Sequence, residues 1–471
     1  MERQIEVAVS FGRRYFSFIA VALVLLLAVL LRLIDLGTTP SNLTADELDD
    51  LQNAYRVIYG KAGGLFGLDW NQAPNFNMYL KAASLEVFGD GVAGTRMYGV
   101  VLSLASLALF YPLARRRLDF LPSLLATFLL ATSLWFLHFS RTPWTSMSSV
   151  LAAVVTAYLL DLAIERRQMW LFALVGVAVA FGAYGYFAGR VVAIAVIFCY
   201  GVTLMLEERD PMTLLKGFVL SGVVAFVLFA PQLKTQVDNW EYANRRPNAV
   251  SIFRIEGEYL GDSSRPQILL HQTLRAVRGF LLLDKSISQY GLWARYHPPD
   301  LAFLDQVTGV IYWVGLATGV LQWRRYAYWW TFLLVPLFFT QVFSVGTPDG
   351  SRALIAVPFM FLFTGIGLQT ILGLARNSDT SRRLVPAAVV TVVVLVGAYN
   401  VDRYFDWMKE PGAIEARKPA IAVEDFKYFR EIARQYSAEG RLVSEADWLR
   451  YREQRLREVG ASAPTGTPTS R

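Results

Sequence analysis

The sequence predicts an all-α integral membrane protein with about eleven transmembrane helices and a long first outer loop that carries amphipathic interfacial helices. Three observations carry that expectation. The 471 residues are 54% hydrophobic and only 18% charged, with a mean hydropathy of +0.37, more apolar than soluble domains are. Apolar runs of about 20 residues recur along the chain, the length that crosses a ~30 Å hydrocarbon core at a rise of ~1.5 Å per residue. Basic clusters stand in alternate gaps between those runs, as the positive-inside rule requires.

Taken in order, the expected spans are 16–36, 96–114, 118–138, 145–164, 168–186, 190–206, 212–231, 302–322, 326–344, 352–374 and 384–401. Arg13-Arg14, Arg115-Arg116-Arg117, Arg166-Arg167, Arg209 with Lys216, Arg324-Arg325, and Arg376 with Arg382-Arg383 then share one side, which makes the N-terminus cytoplasmic. Arg13-Arg14 before an apolar run also resembles a twin-arginine signal. The run continues to Leu36 without a small-residue cleavage site, so a first span is the better reading. Segments 37–95 and 232–301 become two large outer loops of a membrane unit covering 1–401. A charged amphipathic tail follows over 402–459, and the Gly, Ser, Thr and Pro-rich 460–471 is expected to be disordered.

The net charge of +7 does not point to nucleic acid, because the cations lie between apolar runs and orient spans. The single cysteine, Cys199, excludes an internal disulfide. His138, His271 and His297 lie far apart, with no metal-ligand spacing.

The first outer loop carries the chemistry. Thr44-Ala45-Asp46-Glu47 reads as a capping box, so a helix starts there with Asp46 in its first turn, where free N–H groups and the helix dipole favour a carboxylate. Asp46, Asp49 or Asp50, and Asn53 share one face, while Leu48, Leu51, Tyr55 and Ile58 line another, which suits a helix lying on the membrane surface. Asp46 and Glu47 are equally what a plain helix start contains. Several acids on one short helix repel, however, unless a cation, a basic partner or a reaction uses them.

Downstream, Asn71-Gln72-Ala73-Pro74-Asn75-Phe76-Asn77-Met78-Tyr79-Leu80 and Phe88-Gly89-Asp90-Gly91-Val92-Ala93-Gly94-Thr95-Arg96 lead into the second span. Phe139-Ser140-Arg141 follows the third, and Tyr184-Gly185-Tyr186-Phe187-Ala188-Gly189-Arg190 joins the fifth to the sixth. In this order, over roughly residues 16 to 235, the motifs resemble membrane glycosyltransferases of the type C fold, in particular the protein O-mannosyltransferase and aminoarabinose transferase group.

The resemblance implies transfer of a sugar from a polyprenyl-phosphate donor to an acceptor hydroxyl on the extracytoplasmic face, with inversion. The acceptor would be a glycan, lipid or protein. Matched by motif, Asp46 falls on the family's catalytic acidic residue and Glu47 on its neighbour, with Asp46 as general base. The expected donor-phosphate ligands are Arg141 and Arg190, then Arg96, Arg245, Arg246 and Arg352, since arginine forms bidentate bonds to phosphate; arginines at span ends also simply snorkel. Asp50, Asn53, Asn77, Tyr79 and Tyr186 are the expected acceptor or sugar contacts. Aromatic residues of the outer loops, among them Trp70, Trp240, Tyr242, Tyr290, Trp293 and Tyr296, suit either sugar stacking or the interfacial belt. No cofactor is expected and, by the group's habit, no divalent metal, although Asp46, Asp49 and Asp50 have the oxygen chemistry for one. A lipid-linked glycan transporter, or an O-antigen ligase or polymerase centred on loop 232–301, are the competing readings.

Overall fold

The computed structural model describes residues 2–206, 210–253, 264–286, 297–298, 301–374, 379–409 and 421–458. Gly460 to Arg471, and Tyr290, Trp293 and Tyr296 of the second loop, lie outside the described residues. Eighteen α-helices of the described residues are, in order, α1 Glu2–Leu33, α2 Ala45–Ile58, α3 Phe76–Phe88, α4 Val92–Arg115, α5 Phe120–Thr132, α6 Leu134–Ser140, α7 Ser146–Arg166, α8 Met169–Tyr184, α9 Val191–Leu206, α10 Pro211–Asp238, α11 Trp240–Val250, α12 Arg265–Ala276, α13 Gln306–Leu321, α14 Trp323–Leu337, α15 Val357–Leu374, α16 Asp379–Lys409, α17 Phe426–Ala438 and α18 Glu445–Glu458.

Each expected span falls on helix. Among the described residues seven helices are long and apolar enough to cross a membrane, and eight if the bent pair α5 and α6 is one span. This is an integral membrane protein, but the count of eleven is not reached. The reason is length: α8 and α13 have 16 residues each and α14 has 15, about 22–24 Å at the helical rise, short of a ~30 Å core. The α5–α6 bend of 60° sits at Ser133, whose extended backbone ends α5 while its hydroxyl accepts from Phe136 N to start α6.

The tail changes the reading of the first outer loop. Asn42–Leu43 pairs antiparallel with Ile421–Ala422, and α17 packs on α2. Leu48, Leu51 and Tyr55, expected to face the membrane surface, are instead buried in one cluster with Phe426, Phe429, Ile432 and Trp448. The correction has a plain cause: α17 is itself strongly one-sided, and two apolar faces exclude more water against each other than either does at a headgroup boundary. Polar contacts seal the edges, with Arg430 and Arg434 on Asp90 at 3.2 and 2.9 Å and the Val443 N–H on Gln52 Oε1 at 2.6 Å. The tail and the first loop therefore lie on the same side of the bundle.

Between α1 and α2 the chain makes a tight descent held by buried arginines. Arg96 of α4 donates to the carbonyls of Leu36, Pro40 and Asn42 at 3.0, 2.9 and 3.2 Å, and Arg141 donates to Leu31 and Thr39 at 2.7 and 2.9 Å. These include main-chain acceptors that the end of α1 leaves without helical partners. Gly99 lets α4 come close to the segment that carries Arg141, since a Cβ there would meet the Thr142 carbonyl at 2.1 Å.

Candidate active site

The capping box forms as the sequence predicts. Thr44 is the N-cap, its hydroxyl accepts from Glu47 N at 3.2 Å, and Glu47 Oε2 accepts from Thr44 N at 2.6 Å. One carboxylate is thereby turned inward: Glu47 is buried with Oε1 3.9 Å from Arg96 Nε. Burial raises the Glu47 pKa and the Arg96 charge opposes it. Asp46, its neighbour, is half-buried and opens onto a cleft.

That cleft, a cavity of about 50 Å³, is where the loops converge. From α2 come Asp46 and Asp50, and from the turn 68–74 come Asp69, Trp70 and Asn71. The α6–α7 connection adds Trp144 and Thr145, and the start of α7 adds Ser146; Tyr186 enters from the turn after α8 and Arg246 from α11; Asp349, Ser351 and Arg352 come from the turn before α15. Each wall is tied down locally. The turn 68–74 closes through Asp69 Oδ1, which accepts from Asn71 N and Ala73 N at 2.8 and 2.9 Å. Tyr242 of α11 donates from its hydroxyl to the Asp69 carbonyl at 3.0 Å. Asp349 Oδ1 accepts from Ser351 N, Ser351 Oγ and Arg352 N, its Oδ2 lies 3.2 Å from Arg352 Nε, and Trp135 of α6 holds the same turn through Gly350 O at 3.0 Å.

Beneath the cleft lies a charge that the sequence reading missed. Lys81 of α3 is buried, with its ammonium ion-paired to Asp50 Oδ2 and donating to Thr145 Oγ1 at 2.9 Å. Trp70 Nε1 donates to the other oxygen, Asp50 Oδ1, at 2.9 Å. Burial raises the Asp50 pKa, and Lys81 and the Trp70 indole pull the other way. Burial, with the nearby Asp50 charge, pushes Asp69 up to about 7 against the two N–H groups that favour its anion. Tyr186 is raised by burial and faces Arg352.

Of the residues singled out from the sequence, the cleft gathers Asp46, Asp50, Trp70, Tyr186, Arg246 and Arg352. The others lie elsewhere. Arg96 and Arg141 brace main-chain carbonyls, and Arg190 stacks on Phe187 at 4.9 Å. Arg245 stacks on Tyr242 at 5.7 Å, and Tyr79 donates to Gly63 O at 3.3 Å. Asn53 donates to Asp49 O at 2.8 Å, and Asn77 accepts from Tyr98 at 2.8 Å. Besides Lys81, the cleft residues Asp69, Asn71, Trp144, Thr145, Ser146, Asp349 and Ser351 went unmarked. For Lys81 a signal existed, since the surplus acid of α2 called for a basic partner.

Residues 72–234 match the family described as dolichyl-phosphate-mannose-protein mannosyltransferase, a stretch that begins after α2 and so leaves out Asp46. No curated protein matches the chain in sequence. Among solved structures, the archaeal oligosaccharyltransferase AglB from Archaeoglobus fulgidus, in complex with an inhibitory peptide and a dolichol-phosphate, is similar at TM-score 0.55 and 14% identity over 86% of this chain and 57% of that one. ArnT from Cupriavidus metallidurans bound to undecaprenyl phosphate is similar at TM-score 0.53 and 14% identity, over 92% of this chain and 76% of that one. The chain thus spans little more than half the length of the archaeal protein. The likeness to the type C fold read from the motifs is borne out.

Proposed function

We propose, from the type C fold and the matched mannosyltransferase stretch, that this membrane protein transfers a sugar from a polyprenyl-phosphate donor to an acceptor hydroxyl. The observation that carries the reading is the cleft itself, in which the Asp46 carboxylate shares a wall-to-wall space with the guanidinium groups of Arg246 and Arg352. Asp46 takes the acceptor proton as its oxygen attacks the anomeric carbon. The new C–O bond forms as the bond to the phosphate oxygen breaks, and the electron pair leaves with the polyprenyl phosphate, inverting the centre. A phosphate leaves readily, so positioning and cationic stabilisation matter more than acid catalysis. Arg352, held by Asp349, and Arg246, on α11, supply that charge, with Tyr186 beside them.

Trp70 and Trp144 offer flat faces for the sugar, and Asp69, Asn71, Ser146 and Ser351 offer hydrogen bonds. Asp50 is engaged by Lys81 and Trp70 and is not left as a third cleft oxygen ligand beside Asp46 and Asp69, which supports transfer without a divalent metal. Restoration of activity by a divalent ion after chelation would overturn that part. The first loop and the tail face the extracytoplasmic side in this reading, with the N-terminus cytoplasmic.

The test is turnover of a panel of polyprenyl-phosphate sugars by protein in nanodiscs, with products identified by mass. Asp46→Asn is expected to fold normally and to lose about 10²–10⁴-fold in turnover, the usual contribution of a general base. Turnover in Asp46→Asn close to that of the unmodified protein sinks the assignment.

A further inference from the structure

Arg352 stands in the cleft wall with its guanidinium held by its own loop. Its Nε lies 3.2 Å from Asp349 Oδ2, and its Nη1 donates to Ser344 Oγ at 2.8 Å and to the Val345 carbonyl at 2.6 Å. Those contacts engage three of the five N–H donors that a guanidinium carries, so its plane is set on two sides. Tyr186 faces the same group. Both acceptors on Nη1 come from residues behind the wall, neither of which lines the cleft.

Ser344 is built to accept. Its own hydroxyl proton goes to the Thr340 carbonyl at 2.6 Å, which leaves the lone pairs of Oγ for Arg352. A serine that bonds back to the fourth preceding carbonyl is ordinary at a helix end. The second bond, from an arginine eight positions later, is no part of that habit. The Ser344 main chain is in turn held from outside. Its carbonyl accepts from Gln272 Nε2 of α12 at 3.0 Å and from Thr347 Oγ1 at 3.3 Å. Ser344 also bridges Ser251 antiparallel, with the Ile252 N–H on Phe343 O at 3.3 Å and the Val345 N–H on Val250 O at 2.9 Å. That bridge ties the end of α11, the helix carrying Arg246, to the strip that holds Arg352.

We infer that Ser344 is a positioning residue whose hydroxyl fixes the Arg352 guanidinium in the cleft wall, so that it meets the donor phosphate without reorganising. Freezing a long side chain on binding costs affinity, and a fork already set before the donor arrives avoids that cost. The inference rests on the transferase reading and adds to it a residue that touches neither sugar nor phosphate.

The test is a double-mutant cycle on the full chain in nanodiscs, read by titration with polyprenyl phosphate alone and, in parallel, by donor KM and kcat. Ser344→Ala should weaken polyprenyl-phosphate binding by about 3–10-fold, the scale of one lost hydrogen bond, and raise donor KM by the same factor at nearly unchanged kcat. In the Arg352→Gln background the same substitution should change neither, because the group it positions is gone. In the Arg246→Gln background it should act in full, since the main-chain bridge to α11 survives loss of the hydroxyl. Parental affinity in Ser344→Ala, a loss that persists beside Arg352→Gln, or a fall in kcat at unchanged KM overturns the inference while the transferase reading stands. An unmodified protein that neither binds polyprenyl phosphate nor turns over its sugar derivatives overturns both.

Discussion

Arg96 reaches from α4 to the carbonyl of Asn42, two residues before the N-cap of α2, and donates to it at 3.2 Å. The same guanidinium holds Pro40 O and faces Glu47, so a single buried side chain sets the path that delivers Asp46 to the cleft. Its role is to fix the main chain. Arg96→Ala should therefore destabilise the fold by about 2–5 kcal/mol, because several buried carbonyls and the Glu47 carboxylate lose their donor together. Thermal unfolding measures this. A variant as stable as the parent but weaker for donor would instead return Arg96 to the phosphate.

The arginines separate into two groups whose substitutions should read out differently. Arg352→Gln and Arg246→Gln, on the cleft, should weaken the apparent affinity for polyprenyl-phosphate sugar by about 10–100-fold, the scale of a lost charge-assisted hydrogen bond. Arg246 is exposed and should stand at the lower end. Arg190→Gln, which loses a stacking contact on Phe187 outside the cleft, should leave that affinity unchanged. Donor titrations on the three variants decide the matter, and equal effects from all three would contradict the division.

These two groups also show how far the sequence could be read. Arginine at the outer end of a span was legible as residue type and depth. What its guanidinium met was not, because phosphate oxygens and carbonyls satisfy the same donors. The start of α2 was legible to the residue, since the Thr44–Glu47 box is closed within four positions. The destination of its apolar face was not. Leu48, Leu51 and Tyr55 suit a bilayer surface as well as they suit Phe429 and Trp448, which lie hundreds of positions away and carry no local mark of the pairing. Lys81 stayed hidden for the same reason. It looks like a stray charge in an apolar helix until the fold sets it beside Asp50, 31 positions earlier.

Asp69 predicts a pH signature. Burial and the Asp50 charge lift its folded-state pKa to about 7, above the unfolded value near ~3.9. A carboxyl raised in this way binds its proton more tightly when folded. Its stabilising contribution is complete below about pH 4 and is lost as pH rises through about 7. The melting temperature of the parent should accordingly fall over that window, and Asp69→Asn should flatten the decline. The melting temperatures of the parent and of Asp69→Asn, taken from about pH 4 to 8, would refute the assignment if their slopes coincide.

The tail's hold on α2 yields the last prediction. Phe429 and Trp448 are ring partners at 5.5 Å and lie in the cluster that covers Leu48, Leu51 and Tyr55. Removing a buried ring of this size costs about 3–5 kcal/mol through lost burial and the cavity left behind. Phe429→Ala should lower stability on that scale and also lower turnover, since α2 carries Asp46 and is gripped through Gln52 by Ser437 and Val443. Donor affinity should change little, because Arg246 and Arg352 stand on α11 and the turn before α15 rather than on α2. A split between kcat and KM tests the point: a raised KM with unchanged kcat would mean that the tail acts on the donor side of the cleft and not through the helix bearing the base.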